Sequence, residues 1–171
     1  AHIGEDPRME ALILERLLKY EDPSDFRQAI AGALGTIGTQ QALDALITLM
    51  HTTTDSGIRG ACVTAVGRLS GKFHDTRAVK DLVSLYRSVP KSRGTGAPEE
   101  ILQRMPPGFQ ANVILALSKM SGPEALAALD ELHAAENDPV LLERLANARR
   151  DVQERLERNK ADKDTDENAG G

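Results

Sequence analysis

Apolar residues in this chain recur at helical spacing. In QALDALITLMH (41–51) they are Ala42, Leu43, Leu46 and Leu49; in RAVKDLVSLYR (77–87) they are Ala78, Val79, Leu82 and Leu85; in EALAALDELHA (124–134) they are Ala125, Leu126, Leu129 and Leu132. Positions i, i+1, i+4 and i+7 lie on one stripe of an α-helix and do not follow the two-residue period of a strand. Each segment is preceded by a second apolar one: FRQAIAGALGTIG (26–38), IRGACVTAVGRLS (58–70) and FQANVILALSKMS (109–121). These align without gaps on the apolar anchors Phe26, Ile58 and Phe109 and on the triplets Ala33-Leu34-Gly35, Ala65-Val66-Gly67 and Ala116-Leu117-Ser118. The pattern predicts a unit of two amphipathic helices, A then B, present three times.

One such pair cannot bury both apolar faces, whereas stacked neighbours can. The expected fold is therefore all-α, a right-handed α-solenoid of stacked antiparallel helix pairs filling residues 1–159. Its expected parts are a half repeat at 2–19, repeats at 22–51, 55–87 and 107–136, an insertion at 88–106 and a capping helix at 138–159. The segment Ile3-Gly4 reads as the end of a helix A whose body is missing, so the solenoid is expected to continue N-terminal to Ala1. The polar stretch KADKDTDENAGG (160–171) holds no large apolar residue and is expected to be disordered.

The first full unit reads Asp22-Pro23, Phe26-Arg27-Gln28-Ala29, Ala33-Leu34-Gly35-Thr36-Ile37-Gly38 and Ala42-Leu43-Asp44-Ala45-Leu46. This resembles the short bacterial HEAT-like repeat, also called the phycobilisome-lyase type, and the likeness extends from Ile3 to about Arg150. The resemblance implies a helical scaffold that binds other proteins. It also implies an alternative, a bilin-lyase or isomerase-like subunit acting with a partner, and a third reading, a HEAT-like DNA-binding protein of the glycosylase kind.

Several residues have an expected structural task. Asp22-Pro23, Asp55 with Ser56, and Asp138-Pro139 are helix-start signals, since an aspartate accepts from free N–H groups and proline fits the first turn. Gly35, Gly67 and Ser118 fall where two helices would cross closely. Gly38, Gly71 and Gly122 follow the last periodic residue, where a left-handed cap is expected. Gly32, matched by Thr64 and Leu115, is expected to face solvent. Arg27 and Arg59 would either hold an anion or pair with a nearby aspartate and with backbone carbonyls at the repeat junction. Gln110 in the third copy favours the second reading.

Composition narrows the function. The net charge of −5, the 3 % aromatic content and the absence of tryptophan argue against a phosphate-neutralising or base-stacking surface. No apolar run approaches the roughly 18 residues of a membrane span. The single cysteine, Cys62, lies in an apolar run and reads as a buried small hydrophobe. The histidines His2, His51, His74 and His133 form neither an HExxH nor a Cys/His cluster, and no nucleophile elbow or phosphate loop is present. No cofactor and no catalytic constellation is expected, and the lack of disulfide pairs favours a cytoplasmic protein with the periplasm left open.

Two surfaces remain as candidates for binding a protein partner. The first is the outward side of the B helices, expected to line the concave face of the array: Asp44, Lys80 and Ala127, then Thr48, Ser84 and Glu131, then His51, Arg87 and Ala134. The second is the insertion (88–108), with Lys91, Arg93 and Arg104, four prolines, and a short helix expected over 98–105. Insertions in repeat proteins gather on one face, often the binding face; a tolerated surface loop is the other reading, because loop length costs little.

Overall fold

The computed structural model describes residues 7–19, 22–89 and 108–169. Its helices are α1 (Pro7–Leu18), α2 (Ser24–Ile37), α3 (Gln40–Thr52), α4 (Ser56–Phe73), α5 (Val79–Ser88), α6 (Phe109–Lys119), α7 (Pro123–Ala135) and α8 (Pro139–Ala169). No strand occurs among the described residues. The A helices α2, α4 and α6 stack in order and α8 closes the row, while each B helix lies against the A helix that follows it: α1 on α2, α3 on α4, α5 on α6, α7 on α8. This is the layered arrangement of an α-solenoid.

The row is held tight by a glycine-on-alanine contact that repeats with the sequence. A Cβ on Gly35 would lie 2.7 Å from the Ala65 Cα, and one on Gly67 would lie 2.4 Å from the Ala116 Cα. Ala65 and Ala116 hold the same register position, so each A helix offers its glycine to the alanine of the next. Ser118 takes the glycine's place in the third copy, and its hydroxyl donates to the Leu115 carbonyl at 2.8 Å.

The core follows the expected stripe with local rotations. Ala42, Leu43, Leu46 and Leu49 are buried, as are Val79, Leu82, Ala125, Leu129 and Leu132. Leu85 and Leu126 are only partly buried; Val83, Tyr86 and Ala128 are buried on their helices. Each B helix meets two neighbours, so its buried face is wider than the four-position stripe.

The glycine caps differ from the expectation. Gly38 ends α2 with φ −65° and ψ 160°, ordinary extended backbone. It is confined by space, since a Cβ there would lie 2.5 Å from the Leu34 carbonyl oxygen and 2.8 Å from the Ala42 Cβ. Gly71 stays helical within α4, where a Cβ would meet the Lys119 carbonyl oxygen at 2.1 Å. The left-handed cap falls instead on His74, at φ 54°. The extra turn of α4 explains why the first two B segments are 36 residues apart (41 to 77) while their A segments are 32 apart (26 to 58). Gly122 starts α7, with φ 155°, and Met120 caps α6. The glycines mark close approaches between helices, a demand from tertiary packing that a rule based on local conformation does not see.

The helix starts are also unequal. Asp55 caps α4, accepting from the Ile58 N–H at 2.9 Å, and Asp138 accepts from Val140 and Leu141 at 2.8 and 3.2 Å. Burial opposes ionisation of Asp55, but hydrogen bonds from the Ser24 hydroxyl and the Ile58 and Gly57 N–H groups outweigh it and hold its carboxyl below the ordinary value. Asp22 does not cap α2. Pro23 occupies that position without a side-chain cap, and Asp22 lies one residue further out, 3.7 Å from Arg16. Counting 32 residues back from Asp55 gives Pro23, which explains the difference.

Residues 160–169 are helical, a continuation of α8. This corrects the expectation of a disordered tail from residue 160. Neither glycine nor proline interrupts the chain between Pro139 and Gly170, so nothing local stops the helix once α7 and α6 hold its first half. Gly32 has nothing within 4 Å of a built Cβ. Gly32→Ala is therefore expected to raise stability by about 0.5–1 kcal/mol, the helix-propensity difference, read as a higher midpoint in urea unfolding.

Candidate functional site

Arg27 and Arg59 resolve first, because the structure gives them a repeated task. The Arg27 Nε donates to the Leu17 carbonyl at 2.8 Å, in the last turn of α1, from a side chain only 4 % exposed. The Arg59 Nε donates to the Met50 carbonyl at 3.2 Å and its Nη2 to Thr53, at the end of α3. Gln110 reaches the Tyr86 carbonyl near the end of α5, at 3.5 Å. Arg155 of α8 donates to the carbonyls of Ser118, Lys119 and Met120 at the end of α6. One side chain from a later helix thus satisfies the last carbonyls of an earlier one, where a positive charge also complements the helix dipole. The junction reading describes these residues, and the anion-site reading does not.

The turns between paired helices are tied to the preceding B helix. Glu10 of α1 accepts from the N–H and hydroxyl of Thr39, at 2.8 and 2.7 Å, and Thr39 in turn caps α3. In the next unit Gln40 donates to Asp75 at 2.6 Å, and Arg77 donates to Asp75 through Nε and Nη2. The hydrogen bonds from Arg77 hold the Asp75 carboxyl below the usual range against the opposing effect of burial. Arg77 also reaches Asp44 on α3 at 2.9 Å. Together with His51 Nε2, 3.6 Å from Asp81, it bridges α3 to α5.

Between α5 and α7 the outer surface opens into a groove of about 840 Å³. Its floor is apolar: Val79, Val83 and Ala128. Thr76, Arg77, Lys80, Ser84, Arg87, Glu124, Ala127 and Glu131 form the remaining walls. Arg87 pairs with Glu131 across the groove. Lys80 is exposed and makes no ion pair among the described residues. The third copy contributes the small side chain of Ala127 to this groove, at the position where the earlier copies carry Asp44 and Lys80.

Five of the expected strip residues thus meet in one place: Lys80, Ser84, Arg87, Ala127 and Glu131. Asp44 joins through Arg77. Thr48 directs its hydroxyl to the Asp44 carbonyl at 3.0 Å, within its own helix, and His51 faces Asp81; neither lines the groove. Lys91, Arg93, Arg104 and the short helix expected over 98–105 lie outside the described residues. Sequence reasoning missed Arg77, Glu124 and the apolar floor. The column Gln41, Arg77, Glu124, polar in all three copies and adjacent to the strip, was the available signal for the first two.

The comparisons with known proteins bear on the fold that carries this groove. The family model for HEAT repeats matches residues 10–97, which span α1 to α5 and run into the insertion. The chain belongs to the HEAT-repeat family. HEAT repeats generally mediate protein–protein interaction. The third helix pair and α8 lie beyond the match, yet they repeat the packing of the first two, through the Gly67–Ala116 contact and the capping by Gln110 and Arg155. No characterised protein and no solved structure matches the chain.

Cys62 is buried in α4, and burial pushes its thiol up to about 12, so the reactive thiolate is suppressed at neutral pH. A smaller recess is lined by Tyr86, Gln110, Leu132 and Glu136, and the Tyr86 hydroxyl donates to Glu136 Oε2 at 2.5 Å. Burial first, and then the neighbouring Glu136, raise the Tyr86 phenol above its ordinary value, so it is a hydrogen-bond donor at neutral pH. Among the described residues no group of three His, Cys, Asp or Glu side chains could hold a metal ion. Among the same residues no helix is long and apolar enough to cross a membrane.

Proposed function

We propose that the chain is a non-enzymatic scaffold that holds a peptide segment of another protein in the groove between α5 and α7. The observation that supports this reading most is the combination of an apolar floor with one uncommitted cation. Val79, Val83 and Ala128 offer a place for an apolar side chain, and Lys80 stands beside it without an ion pair among the described residues. The other groove cations are engaged, Arg87 with Glu131 and Arg77 with Asp75 and Asp44. Such pairs fix the shape of the rim and contribute little net affinity. The expected ligand is a segment that places an aliphatic or aromatic side chain next to an aspartate or glutamate.

A displayed peptide library selected on the chain tests this directly. The selected peptides are expected to share the apolar–acidic pair. Their affinity should fall at least tenfold, which is about 1.4 kcal/mol, in each of two variants: Lys80→Glu, which repels the carboxylate, and Ala127→Arg, which fills the groove. Both positions are exposed, so the melting temperature should stay unchanged. Peptides that bind both variants as tightly as the parent chain would remove the groove as the site.

A further inference from the structure

The groove between α5 and α7 holds one formed ion pair and, two turns before it, the same two charges left apart. Arg87 of α5 and Glu131 of α7 meet across the groove. Seven positions earlier on each helix stand Lys80 and Glu124, both exposed and both lining the same groove. Seven residues are close to two turns of an α-helix, so each earlier residue lies on the face of its later counterpart, about 10 Å along the axis. The two helices run parallel. Thr76, just before α5, lies beside Gly122 at the start of α7, where a Cβ on the glycine would be 3.2 Å from the Thr76 Cγ2, and Arg87 and Glu131 meet further along both helices. Lys80 and Glu124 therefore face each other in the register that Arg87 and Glu131 occupy. The preceding repeat makes the same contact with the signs exchanged: the positions equivalent to Lys80 and Glu124 are Asp44 and Arg77, which pair at 2.9 Å. Yet neither Lys80 nor Glu124 makes an ion pair among the described residues. The Glu124 carboxylate is turned over Gly122 instead, its Oε2 2.8 Å from where a Cβ on that glycine would lie.

We infer that Lys80 and Glu124 form a latch across the apolar floor of Val79, Val83 and Ala128, and that a ligand opens it by exchange, its own carboxylate taking the place of Glu124 at the Lys80 ammonium. This rests on the groove being the binding site and adds the regulation of that site. Closing needs only side-chain rotation, because Arg87 and Glu131 already span the groove from the same backbones. Closed, the latch lays the aliphatic stem of Lys80 over the floor. A segment that brings only an apolar side chain breaks the pair and leaves both charges unmatched. A segment that brings an acid beside the apolar side chain restores a partner to Lys80. An exposed ion pair is weak, so the latch lowers the affinity of any occupant by a few-fold and leaves the groove accessible.

Zero-length carbodiimide coupling of the full 171-residue chain at low salt, followed by peptide mapping, reads the latch without a ligand. The expected product is an amide between the Lys80 Nζ and Glu124. It should form less as sodium chloride screens the pair, and less when a peptide from the displayed library occupies the groove. A Lys80 that couples to Glu131, or to no carboxylate, overturns the inference. With the same peptide, Glu124→Gln is expected to raise affinity about two- to fivefold, the range set by losing one competing exposed pair. A variant of the peptide with its acid changed to the amide should bind more weakly but gain by the same factor, because the latch must open for either. A gain confined to the acidic peptide would mean that Glu124 only repels the ligand, and overturns the latch, as does no gain at all. Thermal melting of Glu124→Gln reports that the chain still folds. The two readings fail separately: a peptide that binds Lys80→Glu as tightly as the parent removes the groove as its site and the exchange with it, whereas a peptide that needs Lys80 but gains nothing from Glu124→Gln removes the latch alone.

Discussion

Replacing Gly67 with alanine, a change that raises helix propensity, is expected to destabilise the protein by about 2 kcal/mol. The added Cβ would lie 2.4 Å from the Ala116 Cα, 2.7 Å from its Cβ and 2.7 Å from its carbonyl oxygen. Carbon atoms settle near 3.5–4.0 Å, so α4 and α6 must move apart by about 1 Å along a shared, fully packed surface. Two of the three opposing atoms are backbone and cannot rotate away. Overpacking of this kind costs about 1–3 kcal/mol; with the contact against backbone we take about 3, and the propensity gain of about 1 offsets part of it. In a chain of this length the change should lower the melting temperature by about 4–8 °C. Gly67→Val removes the propensity gain and adds volume, so its loss should be larger. Read beside Gly32→Ala, the experiment has a built-in sign: the same substitution stabilises at the open position and destabilises at the crossing. A Gly67→Ala protein as stable as the parent would mean that α4 and α6 are not in such close contact.

Arg27→Ala should cost about 3 kcal/mol by a different route. Its guanidinium is buried and its Nε satisfies the Leu17 carbonyl. Truncation orphans that acceptor, a penalty of about 1–3 kcal/mol, and leaves a cavity in place of the aliphatic stem. The effect should concentrate on α1, whose last turn is the part being held. Amide hydrogen exchange is expected to show α1 losing protection while α4 and α6 keep theirs. Arg27→Gln should retain part of the stability, because Gln110 makes the equivalent bond in the third copy. Uniform loss of protection across α1 to α8 would mean that Arg27 supports the whole stack and not one junction.

How much of this was legible beforehand depends on the range of the interaction. The helix pairs, their order and the buried columns followed from periodicity, because an apolar stripe at 3.6-residue spacing has few ways to be buried. The close-crossing role of Gly35 and Gly67 was legible too, since the repeat set both beside the same alanine position. The left-handed conformation expected at Gly38, which does end α2, and the cap expected at Gly71 differ from the structure for a related reason. In sequence a glycine needed for backbone freedom and one needed for lack of volume look alike, and only the neighbours at Ala42 and Lys119 separate them. The B-helix strip was found as a list of exposed positions, but which of them share a groove was not. Lys80, Ser84, Arg87 and Glu131 converge because α5 and α7 are neighbours, while Thr48 bonds within α3 and His51 reaches across to Asp81 of α5.

The sequence by itself determined the all-helical repeat, the membership of each residue in a column, and the two polar surfaces from which a binding site could be drawn. Those are consequences of local periodicity and repetition, which act on residues a few positions apart and are copied along the chain. The tertiary structure alone decided that Gly71 meets a carbonyl of α6, that Arg27, Arg59, Gln110 and Arg155 cap earlier helices, and that a groove opens over Val79 and Val83. Each of these depends on the distance between segments many residues apart, and that distance is set by the packing of whole helices, which no single stretch of sequence encodes.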